Sequence, residues 1–492
     1  MTSETLSKHS SEYWENIRKQ TGLFTFDKAA RSVPAYKRLL TQKNLRAGNV
    51  RSWDDFVAKV PTVTKKDYLR KHELSSLMCE DSLKTEFLEY STSSGSTGVP
   101  FYYPRFSNLS RGYGKVLEAF INLRPAESTL VIVCFGMGVW IGGVHTYEAL
   151  VDIGKHRKGL SVIAPGVSKS EIYRAVTELG KSYDQIILAG YPPFIKDVVD
   201  DLNGMGAFTK PGKFRFFFAA EVFTEEFRDY VTRIAKCTSV FTDTMNIYGT
   251  SDIGAMARET PLAILIRRLV GSNVELRKEL FGSEKMPTLA QYDPHDYVFE
   301  NIKGTVHVTA PNVLPFVRFS LGDRGGAFSY DEVVALFASK GIDIKKEAEK
   351  AGIPLWKMPF VFVLERDDFS VSLYGLQIYP EYLRPIMLDK PIDTLSTGRF
   401  VLEIQHNKKH DQYLAVHLEM KEGEIHVDHK TVKLVHDVIH EGLRSRSSEF
   451  KELTNHVKEK DLLQVNFHPY ASAPYFTGSV KQRWVMKDVK KK

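Results

Sequence analysis

The 492-residue sequence predicts an α/β protein. A large N-terminal domain of mixed, mostly parallel sheets with helices is followed by a small α+β C-terminal domain. Three observations predict this. Short apolar runs at 129–135, 160–164, 185–189 and 214–220 alternate with segments of helical period, as buried parallel strands joined by crossover helices do. Residues 297–300, 304–310 and 314–320 follow one another too closely for crossovers and read as antiparallel strands. Charge then clusters at Arg366-Asp367-Asp368, and the elements after it are shorter. The boundary is placed there, giving domains of 1–366 and 367–492, as expected of a chain too long for one ordinary core.

In chain order, 11–45 has helical spacing with a break at Pro34, and 53–60 is a short helix. Pro61 to Asp67 is extended and leads into a helix capped by Thr64. Phe87 to Tyr90 and Val99 to Tyr103 read as strands of a hairpin around a Ser/Thr/Gly loop. Helices are expected at 107–123, 145–153, 168–179 (with a Ser168-x-x-Glu171 capping box), 194–202 and 224–237 (with Thr224 as cap). Residues 240–245 look like a further strand. Leu265 to Val270 and Leu276 to Leu280 read as packed helices, and 331–350 as one helix. The segment Phe360 to Leu364 leads into the charge cluster. The second domain holds strands near 371–379, 399–405, 412–418 and 463–467, with one long helix from Thr431 to about Lys458.

The totals exclude several classes. Hydrophobic residues make up 43% and charged residues 26%, an ordinary globular mix. Nothing approaches 18 consecutive apolar residues, so no membrane insertion is expected. The N-terminus lacks the apolar segment of a signal peptide, and Cys79, Cys134 and Cys237 are too scattered for a disulfide framework or a metal knuckle. The compartment is read as cytoplasmic. The net charge of +7, from 67 Lys+Arg against 60 Asp+Glu, gathers partly in the tail 487–492 and shows no aromatic-interleaved basic stripe. No nucleic-acid partner is expected.

Chemistry concentrates first at Tyr90 to Pro100, YSTSSGSTGVP. Ser93, Ser94, Ser96 and Thr97 supply hydroxyls, and Gly95 and Gly98 supply unobstructed N–H groups, a set able to wrap a phosphate tail. Read bare, it is also a solvated linker. Ala219-Ala220-Glu221 closes a strand with small residues, leaving a crevice where open α/β sheets bind ligands, or simply a tight turn. Asn246, Tyr248, Gly249, Thr250, Ser251 and Asp252 join a stacking ring, a close-approach glycine, hydroxyls and a carboxylate suited to Mg²⁺, and equally form an ordinary turn. Asp323 follows Gly322 as a carboxylate that can accept two ribose hydroxyls or cap a surface turn. Lys481 stands on a Gly-containing segment as a point charge among other C-terminal basic residues. Trp140, Gly142, Gly143, His145 and Tyr191 sit at neighbouring strand ends, either as walls of an acyl or aryl pocket or as packing.

These segments together resemble the adenylate-forming superfamily of acyl-CoA synthetases and adenylation domains. Ser93 to Pro100 is similar to its phosphate loop, Thr-Ser-Gly-Thr-Thr-Gly-x-Pro. The 29–40 and 61–67 segments and AAEVFTEEF at 219–227 resemble the phenylacetate-CoA ligase-like branch, with Ala219 for Gly and Val222-Phe223 for Pro-Trp. Tyr248-Gly249 match Tyr-Gly-x-Thr-Glu, with Ser251 and Asp252 at the Thr and Glu positions. Arg318, Gly322 and Asp323 match Arg-Tyr-Arg-Thr-Gly-Asp, while Ser320 and Leu321 depart. Glu365 to Asp368 resembles the hinge Gly-Arg-x-Asp-Asp, with Arg366 beside the expected place and Asp367 and Asp368 on the pair. Lys481 falls at the family's late lysine, with Val480 before it instead of Gly.

The resemblance implies an ATP-dependent ligase that activates a small carboxylic acid through an acyl-adenylate and passes the acyl group to CoA, with ATP, Mg²⁺ and CoA as cofactors. It implies phosphate binding by 93–98, adenine and ribose contacts from 219–221, 246–251, Asp323 and Arg366, and a mobile C-terminal domain turning at Asp367 or Asp368. Asp252 would hold the metal, and Lys481 and Asp252 would be catalytic. Transfer to an amine or a carrier-protein thiol stays open, as does a nucleotide-binding protein without chemistry.

Overall fold

The computed structural model describes residues 3–92, 101–106, 109–138, 141–220, 222–284, 286–364, 370–407, 411–423, 427–457, 462–476 and 484–486. After a short helix at Ser3–Lys8 come α1 (Ser11–Ser32) and α2 (Pro34–Gln42), divided at Pro34, whose fixed φ suits the first turn of the second. A hairpin follows, β1 (Leu88–Thr92) paired antiparallel with β2 (Tyr102–Phe106). Of the strand expected from Val99 to Tyr103, Val99 and Pro100 lie outside the described residues, and β2 runs from Tyr102 on to Phe106. Thr64 caps a turn rather than an α-helix: its Oγ1 accepts from the Asp67 N–H, and its own N–H donates to Asp67 Oδ1.

The centre is an eleven-stranded sheet. Its parallel half consists of β3 (Thr129–Cys134), β4 (Leu160–Ile163), β5 (Gln185–Gly190), β6 (Phe214–Ala219) and β7 (Thr244–Thr250), in the order β4-β3-β5-β6-β7. Period-two alternation explains how the inner strands β3, β5 and β6 are buried on both faces, while the edge strand β4 is half-buried. Val131, Val133 and Phe135 pack under α3 (Leu109–Leu123) and α4 (Ile141–Gly154). Leu130, Ile132 and Cys134 face the opposite layer, with α5 (Pro192–Gly204) and α6 (Glu225–Ile234). The sheet continues antiparallel through β8 (Gly254–Arg258), β9 (Thr288–Tyr292), β10 (Val298–Ile302), β11 (Thr305–Ala310), β12 (Phe316–Phe328) and β13 (Phe360–Val363). Their order from β7 is β8-β9-β13-β12-β11-β10. The antiparallel part is thus larger than the sequence pattern indicated.

Several local expectations are corrected. Residues 240–243 form a short helix, and β7 begins at Thr244, so the Tyr248 segment lies within the strand. Strand β12 runs on to Phe328, which places Gly322-Asp323 at a bulge inside the strand, with Gly322 at a φ of 77°, rather than in a turn between elements. Ser168 precedes its helix, but its side chain makes no capping bond and contacts Ser170 Oγ instead. Residues 330–350 form two helices. The long C-terminal helix is also two, α7 (His429–Arg446) and α8 (Ser448–His456), because Ser447 adopts extended backbone and caps the second.

The C-terminal part carries a hairpin, β14 (Val371–Leu373) with β15 (Leu376–Ile378). It also has a four-stranded sheet in the order β18-β17-β16-β19, built from β16 (Ser396–His406), β17 (Gln412–Met420), β18 (Leu463–His468) and β19 (Val485–Met486). Its apolar residues Phe400, Leu402, Leu414 and Val416 belong to the same buried cluster as the α5 face of the large sheet. Among the described residues, no helix is long and apolar enough to cross a membrane.

A charged contact joins the two parts. Lys196 of α5 pairs with Asp200 at 2.7 Å and with Asp411, just before β17, at 2.8 Å. Next to it, burial pushes the Asp197 carboxyl up to about 8, with Lys169 and Lys196 opposing and Asp411 reinforcing the rise. The folded protein therefore keeps this proton between about pH 4 and pH 8, where the unfolded chain has lost it. By linkage, stability falls as pH rises through that window. Urea unfolding at pH 5 and pH 8 should show a drop in wild type that is smaller in Asp197→Asn. An equal drop in both would show that Asp197 does not titrate there.

Candidate active site

An open cleft of about 2390 Å³ runs along the carboxyl ends of the parallel strands and past β8 and β12. That is larger than a single small-molecule pocket, about 300–1,000 Å³. Ala219, Ala220, Tyr248, Gly249, Thr250, Ser251, Asp252, Asp323, Gly142, His145 and Tyr191 all line it. Residues from three strands, the β7–β8 turn, helix α4 and the N-cap of α5 are thus brought together.

The β6 end turns sharply. Ala220 takes a left-handed φ of 77°, which ends the strand and opens the wall. Glu221 lies outside the described residues. On β7, Tyr248 is buried, and its hydroxyl donates to Asp323 Oδ2 at 2.6 Å. This bond crosses the sheet from β7 to β12 and holds Asp323 on the cleft wall. Gly249 sits at a register shift against β8, where an added Cβ would come within 2.6 Å of the Gly254 carbonyl oxygen. Close backbone approach at this turn therefore requires glycine. Thr250 Oγ1 is buried with no hydrogen-bond partner among the described residues. Asn246 is buried behind the wall and does not line the cleft.

Asp252 is buried and pairs with Lys65 at 3.6 Å. Lys65 also stands 5.3 Å above the Tyr103 ring. Arg105 of β2 is almost fully buried. It donates Nε to the Ile253 carbonyl at 3.3 Å and its two terminal nitrogens to Ser91 Oγ and the Ser251 carbonyl. One guanidinium thus clamps both residues flanking Asp252 to the β1–β2 hairpin. Burial lowers its pKa to about 10, still charged at neutral pH. Neither Arg105 nor Lys65 stood out in the sequence as a site residue. The available signal was a single cation inside the aromatic strand Phe101 to Phe106, and a lysine inside a capped turn.

At the other wall, α4 starts at Ile141, four residues earlier than expected, so His145 sits within the helix instead of opening it. Gly143 lies where a Cβ would meet the Gly136 carbonyl oxygen at 2.4 Å, which lets α4 close onto the end of β3. It does not line the cleft. Burial, and then the charge of Arg105, push the His145 imidazole down to about 4, so it is neutral at pH 7. Tyr191 stands at the start of α5, with its ring 5.1 Å from Phe135 edge-to-face and in close contact with Gly375 of the β14–β15 turn. With Tyr113 and Phe135 it gives this end an aromatic lining.

Ser93, Ser94, Gly95, Ser96, Thr97, Gly98, Trp140, Arg366, Asp367, Asp368 and Lys481 lie outside the described residues. The described neighbours are Thr92 at the end of β1, Tyr102 at the start of β2, and Phe476 and β19 on the C-terminal sheet.

The class of fold follows from these elements and from comparison. Against family models and curated proteins the sequence finds no match. Among solved structures, 2-hydroxyisobutyryl-CoA ligase with 2-HIB-AMP and CoA in the thioesterification state is similar at a TM-score of 0.62 and 14% identity, covering 98% of this chain and 91% of that one. The same ligase in the postadenylation state with 2-HIB-AMP gives 0.53 at 14% identity and the same coverage. Its open conformation with 2-HIB-AMP and CoA gives 0.52 at 13% identity, covering 98% and 93%. The chain has the fold of these ligases: a large α/β sheet domain with a C-terminal α+β part.

Arg105→Met removes the donor from two buried carbonyls and a hydroxyl. It should lower the unfolding free energy by about 3 kcal/mol in urea titration. A loss below about 1 kcal/mol would contradict the clamp.

Proposed function

We propose that this protein is an AMP-forming carboxylate ligase of the adenylate-forming superfamily, similar to its phenylacetate-CoA ligase-like branch. The observation that carries the proposal is that Ala219-Ala220, Tyr248 to Asp252 and Asp323 wall one cleft. These are the segments to which the sequence resemblance assigns the nucleotide, and they reach the cleft from three different strands. The two domains are proposed as 1–366 and 367–492.

ATP would lie along this wall. The backbone at Ala219-Ala220 would border the adenine. Asp323, oriented by the Tyr248 hydroxyl, would accept the ribose hydroxyls, with Arg366 beside it. The hydroxyl-rich segment 93–98 would hold the β- and γ-phosphates. The residues at the β7–β8 turn suit Mg²⁺: the Asp252 carboxylate, the Ser251 hydroxyl and the unpartnered Thr250 hydroxyl are hard oxygen donors facing the cleft. Bound there, the ion would offset phosphate charge. Lys65 stands next to Asp252 as a further cation on the phosphate side.

The acid would enter beside Tyr113, Phe135 and Tyr191, with the neutral His145 at the wall. Its carboxylate oxygen would bond to the α-phosphorus as the bond to the β-phosphate oxygen breaks and pyrophosphate leaves. Lys481 would neutralise the charge that develops there. The C-terminal domain would then turn at Asp367 or Asp368, and the thiol of CoA would attack the acyl carbon and release AMP. The higher similarity to the thioesterification state than to the postadenylation and open states supports the view that the domains here stand as they do for the second step. The Lys196–Asp411 ion pair is one contact that holds this arrangement.

ATP–pyrophosphate exchange over a panel of aryl, fatty and amino acids tests the proposal. At least one acid should support exchange, and Lys481→Ala should reduce it by about 100-fold with ATP binding kept. Exchange without any acid dependence, or none with any acid, would contradict a ligase and leave a nucleotide-binding protein. Where exchange occurs, formation of a CoA thioester separates transfer to CoA from transfer to an amine or a carrier-protein thiol.

A further inference from the structure

A second group of side chains lies at the edge of the cleft, and two of its three members, Glu89 and Glu148, have no role in the reaction proposed above. Glu89 projects from β1, and His145 and Glu148 project from α4. One ligand atom from each lies within 4.8 Å of the others. Three donors about 2.1 Å from one tetrahedral Zn²⁺ stand about 3.4 Å from each other. The three side chains would need to close by up to about 1.4 Å, which rotation of the two carboxylates can supply.

Three features set the group apart from an ordinary acidic patch. His145 is nine-tenths buried at 9% exposure, and its ring has no hydrogen-bond partner among the described residues. Glu89 Oε2 and Glu148 Oε2 are both buried, and the carboxyls face each other, with burial first and then the Glu89 charge raising the pKa of Glu148. Two carboxyl groups are thus held against each other. Arg105, the nearby cation, faces Glu89 across the hairpin register, but its donors go to Ser91 Oγ and to the Ser251 and Ile253 carbonyls. Buried polar groups without partners are uncommon because each costs about 1–3 kcal/mol. Three in contact, all of metal-ligating type, share one remedy.

We infer that Glu89, His145 and Glu148 form a binding site for a first-row divalent cation such as Zn²⁺ or Mn²⁺, clasping the β1–β2 hairpin to α4. One imidazole nitrogen with two carboxylates suits these ions better than Ca²⁺, which takes all-oxygen sets. The site is separate from Asp252, which lies on the β7–β8 turn beyond Arg105. It brings a cation to β1 and so ties the β1–β2 hairpin to α4. The inference stands independently of the ligase reaction.

The test uses the full-length protein, stripped of metal by chelation and titrated with Zn²⁺ by calorimetry, and with Co²⁺ followed by visible absorption. Other histidines can take up metal, so the comparison with variants decides. Wild type should bind one equivalent more than Glu89→Gln/Glu148→Gln, and more than His145→Asn. Its Co²⁺ complex should show d–d bands that both variants lack, and metal should raise its Tm but not theirs. The Gln replacements keep shape and remove a like-charge contact, and His145→Asn provides a second folded comparison should one be lost. Equal numbers of tight equivalents in wild type and the variants would overturn the site, as would no saturable binding by wild type.

Discussion

The buried guanidinium of Arg105 is the constraint on which the cleft depends. The residues flanking Asp252 are the turn between β7 and β8, and a turn at a sheet end has no other strand to fix it. Arg105 supplies that fixation from outside the sheet, donating to the carbonyls of Ser251 and Ile253 and to the Ser91 hydroxyl at once. A planar, permanently charged fork is suited to this, since a lysine in the same place could not satisfy three acceptors in fixed directions. The cost of burying the charge is offset by those bonds, and the result is a carboxylate, Asp252, held in register with a hairpin that starts 160 residues earlier.

The rest of the wall is set by where the sheet changes direction. Strands β3, β5, β6 and β7 run parallel and end together, and β8 turns back. Their carboxyl ends therefore open on one crevice, the place where open α/β sheets bind ligands. Strand β12 arrives from the antiparallel half with Asp323 facing the same space, and the Tyr248 hydroxyl ties it there. The cleft is thus a product of topology, and Ala219, Tyr248, Asp252 and Asp323 stand on strands or the short turn between two of them.

Much of this was readable from residue order. The parallel half was legible because strands buried on both faces leave continuous apolar runs, such as Thr129 to Cys134 and Phe214 to Ala219. Capped helices were legible where the cap is local, as at Thr224. What failed depended on distant partners. Gly322-Asp323 looked like a turn because nothing nearby announces that β12 continues to Phe328 alongside β11 and β13. The break at Ser447 divides one periodic pattern, since helical spacing persists across it. Arg105, Lys65 and Glu89 looked like ordinary charges, because their roles come from carbonyls, carboxylates and an imidazole brought in from β8, β7 and α4. The separation of cation and anion by tertiary packing leaves no mark on local sequence.

The central claim is that an acid's carboxylate oxygen bonds to the α-phosphorus of ATP within this cleft. It is tested most directly with an acid that supports turnover, labelled with ¹⁸O in its carboxylate, by mass spectrometry of the nucleotide product. The account predicts AMP carrying one ¹⁸O atom from the acid. ADP as the product, with label in inorganic phosphate, or AMP without label, would contradict it.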